Sequence, residues 1–70
     1  MIAVPTIEER RTRARLHVEW GRLLIARYQQ YLKELRESGR DTETAESLLL
    51  ELERTQKIFE RDLADLEKRE

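Results

Sequence analysis

Seventy residues make at most one small domain, and a chain of that length buries only about 60% of its unfolded surface, so self-association is expected from size alone. Fourteen Lys and Arg against fifteen Asp and Glu leave a formal net charge of −1, which removes any global field directed at nucleic acid or membrane. With no Cys in the chain, disulfides, thiolate zinc sites and cysteine nucleophiles are excluded.

The chain begins MIAVPTIEERR, with charge following a short apolar run, the reverse of the order in a secretory signal. Internal uncharged runs such as Leu23 to Ala26 and Ser47 to Leu50 fall far below the roughly 20 residues needed to span a bilayer. A cytoplasmic protein without a membrane segment is the expectation. Pro5-Thr6-Ile7-Glu8-Glu9 then reads as a helix start, with Thr6 as N-cap and Glu9 completing a capping box.

Four arginines follow at once: Arg10, Arg11, Arg13 and Arg15. At 3.6 residues per turn they ring the helix, whereas a face that tracks phosphates would gather them in one stripe. Glu8, Glu9 and Glu19 lie close by, so a solvated or inter-subunit salt-bridging helix end is the first reading. Contact with nucleic acid through these arginines is the alternative.

RLHVEWGRLLIARY, residues 15–28, holds the only His, the only Trp and one of the two glycines within five positions. A Gly inside a helix costs about 1 kcal/mol relative to Ala, so Gly21 needs a packing reason. The spacing predicts a first helix over about residues 6–38, a loop at about 39–41 and a second helix over about 42–68. Gly39 is placed as the left-handed residue ending the first, and Asp41 or Thr42 as the cap of the second. A loop this short folds the two into an antiparallel hairpin occupying residues 1–70 as a single domain.

In the first helix Ala14, His17, Gly21, Leu24, Tyr28, Tyr31 and Leu35 keep a 3,4 spacing, flanked by Val18, Ile25 and Leu32. In the second, Ala45, Leu48, Leu52, Thr55, Phe59, Asp62 and Leu66 do the same, flanked by Leu49, Gln56 and Leu63. Folding about residues 39 and 40 pairs these as layers, in which Gly21 faces Phe59 and His17 faces Asp62. His17, Gly21, Phe59 and Asp62 are therefore assigned structural roles: Gly21 makes room for a ring, and Asp62 accepts the imidazole N–H. His17 has Arg13 and Gly21 at i−4 and i+4, and the chain has no second His, so no metal or catalytic site is expected.

Leu16, Trp20 and Leu23 lie off that seam. Together with it they widen the apolar arc of the first helix to about 220°, far more than one partner helix covers. Ile2, Val4 and Ile7 also lack a counterpart, because the layering carries the second helix out opposite about residue 10. Leu16, Trp20, Leu23, Ile2, Val4 and Ile7 are the predicted partner interface.

The stretch from His17 to Leu63 resembles a group of short, uncharacterised helical hairpin proteins of alphaproteobacterial type. Their pattern is a His, a Gly four residues on, Ile-x-x-Gln, Gly-x-Asp-Thr and an Ala-x-x-Leu-Leu run. Here these are His17, Gly21, Ile25, Gly39-Arg40-Asp41-Thr42 and Ala45 to Leu49; Tyr28 stands where Gln is usual, and Gln29 follows one place on. The resemblance implies a helical hairpin and no activity.

The sequence thus predicts an all-α antiparallel two-helix hairpin that dimerises into a four-helix bundle. It is read as a non-enzymatic protein–protein interaction or regulatory module of bacterial origin. No cofactor, metal, membrane or small-molecule substrate is expected. The alternatives are a small nucleic-acid-associated regulator using Arg10, Arg11, Arg13 and Arg15, and a short inhibitor that docks on a larger protein.

Overall fold

The first amides of a helix have no carbonyl partner within it, and Thr6 takes one of them. Its hydroxyl accepts from the Glu9 amide at 3.1 Å and donates to the Glu9 carboxylate at 3.3 Å. In a computed structural model, which describes residues 3–69, this cap opens one long helix, α1 (Ile7–Glu37). α1 ends at Gly39, whose φ of 68° is a left-handed conformation that glycine adopts without strain. The Gly39 amide donates to the Arg36 carbonyl at 3.1 Å and the Arg40 amide to the Leu35 carbonyl at 2.9 Å, closing the orphaned carbonyls of the last turn. Asp41 starts the second helix, α2 (Glu43–Lys68), by accepting from the Glu43 amide at 3.0 Å. Thr42 makes no capping bond.

α1 and α2 pack side by side and antiparallel, so that Arg11 near one end of α1 reaches Leu66, and Arg36 near the other reaches Glu46. The extents are 51 × 28 × 15 Å. A helix with its side chains is about 10–12 Å across, so the smallest dimension corresponds to a single layer of helices.

The central row of this layer differs from the predicted one. Val18 and Leu32 of α1 and Ala45 and Gln56 of α2 are buried. Half-buried residues extend that row at 3,4 spacing, through Gly21, Ile25, Tyr28 and Leu35 on α1, and Leu49, Leu52, Phe59 and Leu63 on α2. The predicted flanks Val18, Ile25, Leu32, Leu49, Gln56 and Leu63 therefore belong to the seam. His17, Leu24, Tyr31, Leu48, Thr55 and Asp62, assigned to the seam from the sequence, are exposed. The physical cause is that each helix carries two adjacent rows at the same spacing, and one facing helix covers only one of them.

Gly21 shows what fixes that choice. It does not make room for Phe59. A Cβ built there would meet Gln56 first, with the side-chain carbonyl carbon at 2.7 Å and the Oε1 oxygen closer still. The Gln56 amide lies in the notch and donates from Nε2 to the Val18 carbonyl at 2.9 Å, a buried bond between the helices. Oε1 is buried without a hydrogen-bond partner among the described residues, a cost of about 1–3 kcal/mol that the packing has to offset. The His17 ring lies on Phe59, with centroids 5.0 Å apart, in place of the predicted hydrogen bond to Asp62. Both α2 partners thus come one helical turn earlier than the layering predicts.

The notch yields a double-mutant test. Gly21→Ala gains about 1 kcal/mol of helix propensity but must expel the Gln56 amide, so it is expected to lower the thermal midpoint. In a Gln56→Ala background, where nothing fills the notch, the same substitution is expected to raise it. Equal destabilisation in both backgrounds would mean that Gln56 does not occupy the space above Gly21.

Candidate functional site

With the helices held in this rotation, the two long sides of the hairpin differ in chemistry. On one side α1 presents Arg15, Arg22, Gln29 and Arg36 at seven-residue spacing, and α2 presents Glu46, Glu53, Glu60 and Glu67 at the same spacing. Arg15 Nε reaches the Glu67 carboxylate at 3.2 Å and Arg36 Nη2 reaches Glu46 at 3.0 Å. Arg22 turns back to Glu19 at 3.1 Å. Exposed pairs of this kind contribute only about 0.2–1 kcal/mol each, yet as a row they hold this side toward water.

The opposite side carries the displaced row. His17, Leu24 and Tyr31 of α1 stand beside Leu48, Thr55 and Asp62 of α2, with the half-buried seam as the floor between them. At the open end of the hairpin, Ala14, His17, Phe59, Asp62 and Leu66 line a shallow depression bordered by Arg10 and Arg13. Toward the turn, Tyr28, Tyr31, Leu35, Ala45 and Leu48 line another. The two tyrosine rings meet edge to face at 6.1 Å.

A further cleft lies on α1 alone, formed by Trp20, Leu23, Leu24 and Arg27. Their positions i, i+3, i+4 and i+7 are those of the four-residue hole that receives one side chain from a facing helix in knobs-into-holes packing. Trp20 is 64% exposed and Leu23 60%. Leu16, the third member of the predicted patch, is exposed one turn earlier. Leu24, Tyr31, Leu48 and Ile58 are further large apolar side chains left exposed. The 3,4 spacing in the sequence assigns the first three to the intramolecular seam and gives no signal at Ile58. The signal that separates them is the heptad row of glutamates on α2, which marks the water-facing side and hence its opposite.

The remaining predicted residues fall in different places. Val4 is exposed ahead of α1, whereas Ile7 is half-buried. Ile2 lies outside the described residues. The arginine cluster is divided by the fold. Arg11 turns inward, where Nε donates to the Leu66 carbonyl at 2.9 Å and a guanidinium nitrogen pairs with Glu8. Arg15 is held by Glu67, while Arg10 and Arg13 remain exposed near Asp62. The four do not form one basic face.

Among the described residues no group of three or more His, Asp or Glu is placed to hold a metal ion, and no helix is long and apolar enough to cross a membrane. In comparisons with protein families, curated proteins and solved structures, nothing matches this chain.

Arg11 supplies a cation and a donor to a carbonyl in the last turns of α2, where the helix dipole is negative. Arg11→Met is therefore expected to lower stability by about 1.5–3 kcal/mol, the range of hydrogen bonds to charged groups. Arg10→Gln is expected to stay within about 0.5 kcal/mol, as an exposed substitution does. Urea melts compare the two, and equal losses would contradict the division of the cluster.

Proposed function

We propose that this chain is a protein–protein interaction or regulatory module without enzymatic activity, working as a self-associating helical hairpin in which two copies form a four-helix bundle. The observation that carries this reading is the one-sidedness of the hairpin. One long side is closed by charge pairs, and the other leaves Trp20, Leu24, Tyr31 and Leu48 open to solvent. Soluble monomers seldom leave large contiguous apolar patches bare, and Trp is among the residue types most enriched where partners bind.

The surface area supports the same conclusion. A compact monomer of 8.5 kDa exposes about 4,700 Å², whereas this chain exposes 6054 Å². The excess is more than about 1,000 Å², which exceeds the roughly 800 Å² that each partner buries in a stable complex. Among the described residues only Val18, Leu32 and Ala45 are buried apolar residues. A second layer of helices would give the chain the two-layer core that stable domains have.

A Trp20→Ala, Leu23→Glu double variant tests the reading. It is expected to remain helical by circular dichroism at low temperature while its mass by light scattering falls from dimer to monomer, with melting that no longer depends on concentration. A parent chain that is already monomeric at millimolar concentration would overturn self-association and leave the face to a foreign protein.

A further inference from the structure

The cleft on α1 specifies more than an apolar partner. Its four residues form a hole for one knob, and one heptad before Trp20 stands Arg13, while Arg27 closes the other end. Read along this row, α1 presents Arg13, Trp20 and Arg27, a basic, apolar, basic pattern at seven-residue spacing. Among the described residues neither arginine has an ion-pair partner within the chain.

α2 carries the complement. Beyond Leu48, Thr55 and Asp62 on the same open side comes the row Glu51, Ile58 and Asp65, an acidic, apolar, acidic pattern at the same spacing. Ile58 is 58% exposed, although it stands in a charged stretch. Glu51 meets only Arg54, one turn along its own helix, at 2.9 Å, and Asp65 has no ion-pair partner among the described residues. The two rows match in spacing, chemistry and exposure, and they lie on one side of the molecule.

From these observations we infer that Ile58 of the partner subunit, a second copy of this chain, packs on Trp20 at one end of the cleft of Trp20, Leu23, Leu24 and Arg27, with Arg13 and Arg27 of each copy against Asp65 and Glu51 of the other. This inference rests on the self-association proposed above and gives it a register. A two-fold axis along the bundle sets α1 of each copy between its own α2 and that of the other, both antiparallel to it, and places equal heights together. With Gly21 against Gln56 and Arg11 reaching Leu66, the hairpin brings Ile58 level with Glu19 and Trp20, at the Trp20 end of the hole. Packing α1 against α1 would instead oppose arginine to arginine, because the row is basic at both ends. Antiparallel neighbours also align the helix dipoles favourably.

The arrangement is tested with two charge-swapped chains, Arg13→Glu with Arg27→Glu, and Glu51→Arg with Asp65→Arg. Alone, each opposes like charges in both copies of the contact, so each is expected to lose at least tenfold in dimer affinity by sedimentation equilibrium at low salt. Mixed one to one, both contacts become attractive, and a heterodimer of parental affinity or better is expected. A Glu51→Arg, Asp65→Arg chain that dimerises like the parent would overturn the inference, as would a mixture that fails to recover. A parent dimer accompanied by either result would refute this register alone, whereas a monomeric parent would remove the self-association itself.

Discussion

The rotation of each helix about its own axis decides what this hairpin can do, and the Gln56 amide in the notch at Gly21 sets it. A Cβ at position 21 would run into the end of the Gln56 side chain and displace its amide from the notch, where it now donates to the Val18 carbonyl. Once Gln56 and Val18 face each other, every other row follows from helical geometry. Arg15 and Arg36 come opposite Glu67 and Glu46 on one side. His17, Leu24 and Tyr31 come beside Leu48, Thr55 and Asp62 on the other. A buried amide with one unsatisfied oxygen is a costly way to join two helices compared with an apolar pair. It adds a donor that accepts only one register, a role that buried polar side chains fill in other helical assemblies.

The two helices and the reversal between them are legible in the sequence because their signals are local. Pro5-Thr6 with Glu9 and Gly39 with Asp41 each act through hydrogen bonds spanning a few residues. The seam is not legible in that way. On both helices two neighbouring rows keep the same 3,4 spacing, so apolar periodicity fits either choice. Gln56 reads as a polar flank when only hydrophobicity is scored, and Leu24 and Tyr31 read as core. What separates the rows is non-local: the match of a basic row on α1 to an acidic row on α2, and the fit of one amide into one glycine.

The same distinction governs the candidate site. Exposure of Leu16, Trp20 and Leu23 follows from the width of the apolar arc on α1, which one helix cannot cover. Ile58 stands between Lys57 and Phe59 in the sequence, where nothing local tells it from a core residue, and only the paired arrangement of the helices brings its row to the open side. The arginines near the N-terminus divide for an equally spatial reason, since Arg11 points along the seam to the end of α2 and Arg15 points to Glu67. Composition alone cannot distinguish a basic patch from a structural cap and a salt bridge.

The open side of the hairpin is where we propose that a second copy of the chain sits. Trp20 is the only tryptophan, stands at the rim of the cleft and is largely exposed in the single hairpin, so its fluorescence reports this surface and no other. A dilution series followed by emission wavelength and by sedimentation is the most direct measurement. With a second copy on this side, emission typical of a buried indole is expected at high concentration, moving to that of a solvated indole as the mass halves. Emission of a solvated indole at every concentration, with the mass of one chain throughout, would contradict it.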